Sequence, residues 1–208
     1  MVRRGVSDLK KRLVFVWVVP LLFLGMCQTV VFGGKALVEK TGQITSYSNT
    51  GGEDGDLKKG VAWPSPRFTD KGNGTVKDNL TKLIWLKNAN AFGVRTWEQA
   101  LSDANTLSSG SAGLTDGSMA GDWRLPNRKE LESLLDFAYY GPALSSASGM
   151  SQWTSGDAFI GVQSSIYWSS TTYSGYTAGA WGVDLSDGSV SYGGKANTYY
   201  VWPVRAGQ

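Results

Sequence analysis

Three regimes of apolar patterning divide the chain. From Leu13 to Phe32 apolar residues run almost unbroken, interrupted by Pro20, Gly25, Gln28 and Thr29. From Leu37 to Lys59 polar and glycine residues dominate, with an acidic knot at Gly52-Glu53-Asp54-Gly55-Asp56. Beyond Gly60 helical and strand periods alternate. In TWEQALSDANTL, Trp97, Ala100, Leu101, Ala104 and Leu107 recur at the three/four spacing of one buried helical face. Thr96 stands at the N-cap with Gln99 three residues on, the capping-box spacing. In NRKELESLLDFA, Asn127 takes the N-cap, Glu130 the reciprocal position, and Leu131, Leu134, Leu135 and Ala138 the apolar stripe.

Strand signals frame these helices. Trp63-Pro64-Ser65-Pro66 is extended, because a residue before proline avoids the helical region. Thr75-Val76 and Leu83 to Leu86 read as two short strands around a turn at Asp78-Asn79. Ile166-Tyr167-Trp168 starts another strand. In Ala180 to Leu185, alternation puts Trp181, Val183 and Leu185 on one face. Asp187-Gly188 is a hairpin turn, Ser189 to Tyr192 returns, and Tyr199 to Arg205 forms a closing strand that Pro203 confines to an edge or a bulge. The pattern predicts an α+β domain: two helices packed on a small, mostly antiparallel sheet with long loops. The organisation expected is 1–36 for an N-terminal addressing segment, 37–59 for an irregular lead-in, and 60–208 for the folded domain.

Charge changes the picture of the first segment. The chain has 208 residues and a net charge of +3. Residues 1–36 hold Arg3, Arg4, Lys10, Lys11, Arg12 and Lys35 against Asp8 alone, so the remainder nets −2. A basic stretch, an apolar stretch and the small residues Gly33, Gly34 and Ala36 make a secretory signal peptide. The apolar stretch also has the length of an uncleaved membrane anchor, so both fates stay open. Either fate places the domain outside the cytoplasm, at the periplasm, cell surface or beyond, with membrane contact only through this segment. A body of net −2 argues against nucleic acid as a partner, since phosphate binding needs clustered Lys and Arg.

Two absences narrow the chemistry. The chain has no His, and its one Cys, Cys27, lies in the apolar N-terminal stretch. Histidine-dependent nucleophiles, histidine-ligated metals, disulfides and thiolate sites are therefore excluded from the body. Oxygen ligands for calcium remain, and Asp70, Asn73 and Asp78 are the candidates. Turn formation explains the same residues, and DKGNGTVKD lacks the EF-hand spacing. Glu130 and Glu132 sit two apart on a helix, so their side chains diverge and do not form an acid/base pair. No carboxylate pair points to an enzyme.

Seven segments in order carry a resemblance: GDLKKGVAWPSPRFTD, GNGTVKDNLTKLIWLKNAN, RTWEQAL, DWRLPNRKELESLL, IYWSSTTY, AWGVDLSDGSV and YYVWPVR. Together they resemble the Lcl C-terminal domain family, the bacterial domain that ends a collagen-like adhesin, long a domain of unknown function. More distantly, Arg124-Leu125-Pro126, Trp168-Ser169-Ser170, Ala180-Trp181, Asp187-Gly188 and Val201 to Arg205 resemble the C-type-lectin-like scaffold in its formylglycine-generating-enzyme form. Enzymes of that form use paired cysteines or a histidine iron site, which this body lacks. The resemblance therefore implies a lectin-like scaffold and an adhesin-type binding role, with a homotrimer among its assemblies. Polyanion binding does not carry over to a body of net −2.

Two sets of residues follow. Trp85, Trp97, Trp123, Trp168, Trp181 and Trp202 are assigned to the core, because large aromatics dominate cores. Arg124 and Arg205 join them as structural residues, paired with acids such as Glu130 or Asp136. Tyr173, Tyr176, Tyr192 and Tyr199, with Asp184 and Lys195, lie among Gly, Ser, Thr and Asn, the composition of recognition loops. They are the candidate ligand-binding set, for a glycan or a protein. The alternative is a structural or envelope-assembly domain with no small ligand.

Overall fold

A computed structural model describes residues 38–207. The expected addressing segment 1–36 lies outside the described residues. Among those described, no helix is long and apolar enough to cross a membrane. Part of the lead-in is ordered into a short helix, α1 (Asp54–Leu57), against the expectation of an irregular stretch. The acidic knot ties its start to the preceding loop: one Glu53 carboxylate oxygen accepts from Ser46 Oγ and from the Tyr47 and Ser48 backbone N–H groups. Lys58, left-handed at φ 48°, ends the helix.

The architecture is α+β and mostly antiparallel, but it has two sheets where one was expected. The first contains β1 (Phe68–Asp70), β2 (Thr75–Asp78), β3 (Ile84–Leu86) and β9 (Val204–Arg205), in the order β1-β2-β3-β9. The second contains β4 (Val94–Arg95), β5 (Ile166–Thr172), β6 (Gly179–Asp184), β7 (Val190–Gly194) and β8 (Tyr199–Tyr200), in the order β4-β8-β5-β6-β7. The predicted closing strand is thus cut in two. Tyr200 pairs with Val94 and Tyr167 in one sheet, Val204 with Trp85 in the other. Pro203 lies in the break, where a missing N–H removes no ladder bond.

The helix α2 (Trp97–Thr106) carries the predicted capping box between Thr96 and Gln99. The helix α3 (Arg128–Glu132) has its capping box too, between Asn127 and Glu130, but runs only five residues. The stripe beyond it is not helical. Leu134 and Leu135 close tighter i to i+3 bonds onto Leu131 and Glu132, and Leu135 then bridges Leu144. Both leucines are buried, so burial of the stripe, rather than a continuous helix, satisfies the pattern.

Between the sheets the core is aromatic. Trp202 touches Trp85, Phe159 and Tyr167 with ring centroids 5.6, 4.8 and 5.5 Å apart. The buried indoles keep acceptors: Trp202 Nε1 donates to Leu86 O and Trp123 Nε1 to Ser118 Oγ. Fully burying such a ring removes about 200 Å² from water, worth roughly 5 kcal/mol before entropy. The other face of the second sheet is covered by α2, where Trp97, Ala100, Ala104, Trp168, Ala180 and Val201 pack together.

Candidate aromatic binding site

Alternation along β6 and β7 builds the site. Trp181 pairs with Tyr192 and Val183 with Val190, so these four share one face of the hairpin. Under α3 that face is apolar. Beyond α3 the same face carries Trp181 and Tyr192 outward, and Tyr173 folds over them. Tyr173 lies 4.4 Å from Tyr192 and 5.1 Å from Trp181, centroid to centroid. Tyr192 is 51% exposed, and Tyr176, on the adjoining loop, 53%. Three rings therefore form an aromatic platform that opens to water at Tyr192.

Charge is built into its edge. Arg128, the first residue of α3, holds its guanidinium 4.4 Å from the Trp181 ring centroid. Its Nε donates to Glu132 Oε1 at 2.5 Å, and Lys129 Nζ donates to Glu132 Oε2 at 2.7 Å. Burial alone pushes the Glu132 pKa up; the hydrogen bonds from Lys129 and Arg128 outweigh it and hold the carboxyl below its usual value. Two cations thus share the Glu132 carboxylate at this edge. On the other side of Arg128 opens a cleft of about 570 Å³ lined by Val38, Glu39, Glu132, Leu135, Phe137 and Val190 among others.

The structure divides the six candidate ligand residues. Tyr173, Tyr176 and Tyr192 come together. Tyr199 does not join them: it packs on Trp168 at 4.2 Å, and a Cβ on Gly193 would meet its hydroxyl at 2.4 Å. It therefore lies on the α2 face, opposite Tyr192, as neighbouring positions on β7 point to opposite sides. Lys195 belongs there too, with Nζ 3.9 Å from the Trp97 ring centroid. Asp184 sits at the far end of β6 and accepts the Ser186 N–H at 2.8 Å. It shapes the hairpin turn and is not part of the platform.

The core set needs two corrections. Trp85, Trp97, Trp123, Trp168 and Trp202 are buried, but Trp181 is half-buried and forms the platform floor. Arg124 is exposed, not core. It makes the expected structural pair, a two-pronged one with Glu130 at 2.6 and 2.7 Å. Arg205 pairs with Asp116 at 3.1 Å rather than with Glu130 or Asp136. Arg67, unassigned from the sequence, is fully buried against Asp78.

The three calcium candidates do not converge. Asp70 and Asp78 lie at opposite ends of the β1–β2 register. Asp70 is paired with Lys87 at 2.6 Å, Asn73 accepts from Thr75 Oγ1, and Asp78 is committed to Arg67, Leu80 and Thr81. Among the described residues no cluster of three acidic side chains is poised for a metal.

Sequence reasoning missed Arg128 and Glu132 as parts of a site. Their i, i+4 spacing was the legible signal of a pair, but nothing local shows that α3 starts over Trp181. No curated protein matches the chain. A family model described as the Lcl C-terminal domain matches residues 74–205, which include every residue of the platform and both capped helices. The chain belongs to the Lcl C-terminal domain family.

Proposed function

We propose that the chain is an exported, non-enzymatic binding module on a C-type-lectin-like scaffold, and that it recognises glycans through the Tyr173–Trp181–Tyr192 platform. The carrying observation is the cluster of exposed Tyr192 with the half-buried rings of Tyr173 and Trp181, with a guanidinium at its edge. Aromatic faces stack on the C–H faces of sugar rings. Arg128 engages Glu132 through Nε, and neither Nη nitrogen has an acceptor among the described residues, so both are free to donate to ligand hydroxyls. Glycan-array binding by the unaltered chain and by Y173A, Y176A and Y192A variants tests this. Loss of binding in Y173A and Y192A supports it; retention in all three overturns the site.

A second reading, an assembly domain, rests on a different surface. Ile44, Tyr47 and Phe137 are 60%, 84% and 43% exposed and line one shallow pocket. A stable homotrimer in sedimentation that I44D and Y47D dissolve favours this reading; a monomer at all concentrations removes it.

A further inference from the structure

A second cleft, of about 520 Å³, lies away from the platform; its lining includes Lys40, Ile44, Trp63, Asp136, Tyr139 and Met150. Asp136 is 2% exposed. Its Oδ1 accepts the Ala138 N–H at 3.0 Å, and no cation lies within 4.0 Å of its carboxylate among the described residues. The charge around it is unbalanced. Arg67 is already engaged by Asp78 through Nε and by the Ser133 carbonyl through Nη2. Glu39 adds another carboxyl beside Arg67, with Oε2 buried and without a donor. Arg67 also stacks on Trp63, its Cζ 4.5 Å from the ring centroid, and its Nη1 has no partner among the described residues, so the guanidinium hydrogen-bonds neither Glu39 nor Asp136. Lys40 lines the cleft but makes no ion pair among the described residues.

The walls match this deficit. Gly42, at φ +92°, crosses where a Cβ would meet Asp136 Oδ1 at 2.1 Å and Trp63 Cη2 at 2.7 Å. Gly149, at φ +76°, borders the other side of the Trp63 ring. A side chain is thus excluded at Gly42 and crowded at Gly149, where a Cβ would meet Arg67 Cβ at 3.1 Å, while Tyr139, Ile44, Met150 and the part of Trp63 that Arg67 does not cover give aromatic and apolar surface. An acid beside aromatic rings in an apolar cleft suits a weakly hydrated organic cation. It suits calcium poorly, which takes six to eight oxygen ligands.

We propose that the cleft between Trp63, Asp136 and Tyr139 is a binding site for an organic ammonium group, Asp136 supplying the counter-charge and the aromatic rings the walls. Burial also pushes the Asp136 pKa up to about 6, which a bound cation would reverse. The site is separate from the tyrosine platform and stands or falls without it.

The test is an NMR titration of the full chain, following the Trp63 indole N–H signal assigned through W63F. Choline chloride, its uncharged isostere 3,3-dimethyl-1-butanol, and calcium chloride are the probes. Saturable choline shifts in the millimolar range are expected, with the isostere at least about tenfold weaker, the scale of a partly desolvated cation–aromatic and ionic contact. D136N should weaken choline by a similar factor. Equal binding of isostere and choline, displacement of choline by calcium, or no saturable shift overturns the proposal. The choline-to-isostere ratio is read on the unaltered chain, so it decides even where D136N does not fold.

Discussion

Removing the charge of Asp78 should unfold the first sheet's corner more than any surface change. Arg67 and Asp78 are both fully buried. Asp78 accepts from Arg67 Nε at 3.1 Å and Nη2 at 3.4 Å, from the Leu80 N–H at 2.8 Å and from Thr81 Oγ1 at 2.7 Å. In D78N one acceptor oxygen becomes a donor facing Arg67 or Thr81, and the buried guanidinium loses the one carboxylate hydrogen-bonded to it. Breaking such a pair from one side costs about 3–5 kcal/mol. For a domain of this size each kcal/mol lowers Tm by about 2–4 °C, so a fall of about 6–20 °C is expected. In R67M/D78N the stranded charge is gone, and the double variant should recover about 2 kcal/mol relative to the sum of the singles. Urea and thermal unfolding of all four chains measure the cycle. A D78N chain within about 1 kcal/mol of the parent, or strict additivity, refutes the reasoning.

Other expectations follow from the same geometry. Burial raises the pKa values of Glu39 and Asp136 from 4.5 and 3.8 to about 6 each. Raised carboxyls stabilise the fold when protonated, so this contribution is full below about pH 4 and is lost as pH rises through 6. With the part-exposed Glu39 discounted for solvent screening, stability should fall by about 2 kcal/mol between pH 5 and 7.5, and E39Q/D136N should flatten that slope; a parent curve that rises over this window contradicts it. G188A should cost more than G117A: both have positive φ, +82° and +76°, but only at Gly188 does a Cβ meet an atom, Phe137 Cε1 at 2.6 Å. The G117A cost is about 1 kcal/mol, and equal melting shifts for the two would discount the clash. N127A should lose about 1 kcal/mol with its cap, read from denaturant unfolding; no loss would mean that the cap does not anchor α3. W202A should cost about 3–5 kcal/mol and W181A far less while weakening glycan binding; the reverse order would misplace the platform.

Local chemistry made much of this domain legible. Thr96 with Gln99 and Asn127 with Glu130 announced two helix starts, because capping needs only residues three apart. Asp187-Gly188 announced the β6–β7 hairpin for the same reason. The end of α3 was not legible: Leu134 and Leu135 keep a helical spacing, and only the bridge from Leu135 to Leu144 shows that the chain has already turned. The split of Tyr199 to Arg205 between two sheets was hidden too, since both halves have strand character and their partners lie far away in sequence.

The candidate site shows where that boundary falls. A cluster of tyrosines among small residues could be read as recognition material from composition alone. Which tyrosines share a surface is set by the side of the sheet each one faces, and that depends on register. Register put Tyr192 beside Trp181 and sent Tyr199 to the opposite face against Trp168. The sequence by itself determined the family, the α+β class, the capped helix starts and the His-free, Cys-free chemistry. The tertiary structure alone decided that Trp181 is a platform rather than core, that Arg128 completes it, and that Arg67 lies buried among carboxylates. Composition and capping act between near neighbours, whereas burial and charge balance are sums over residues that only folding brings together.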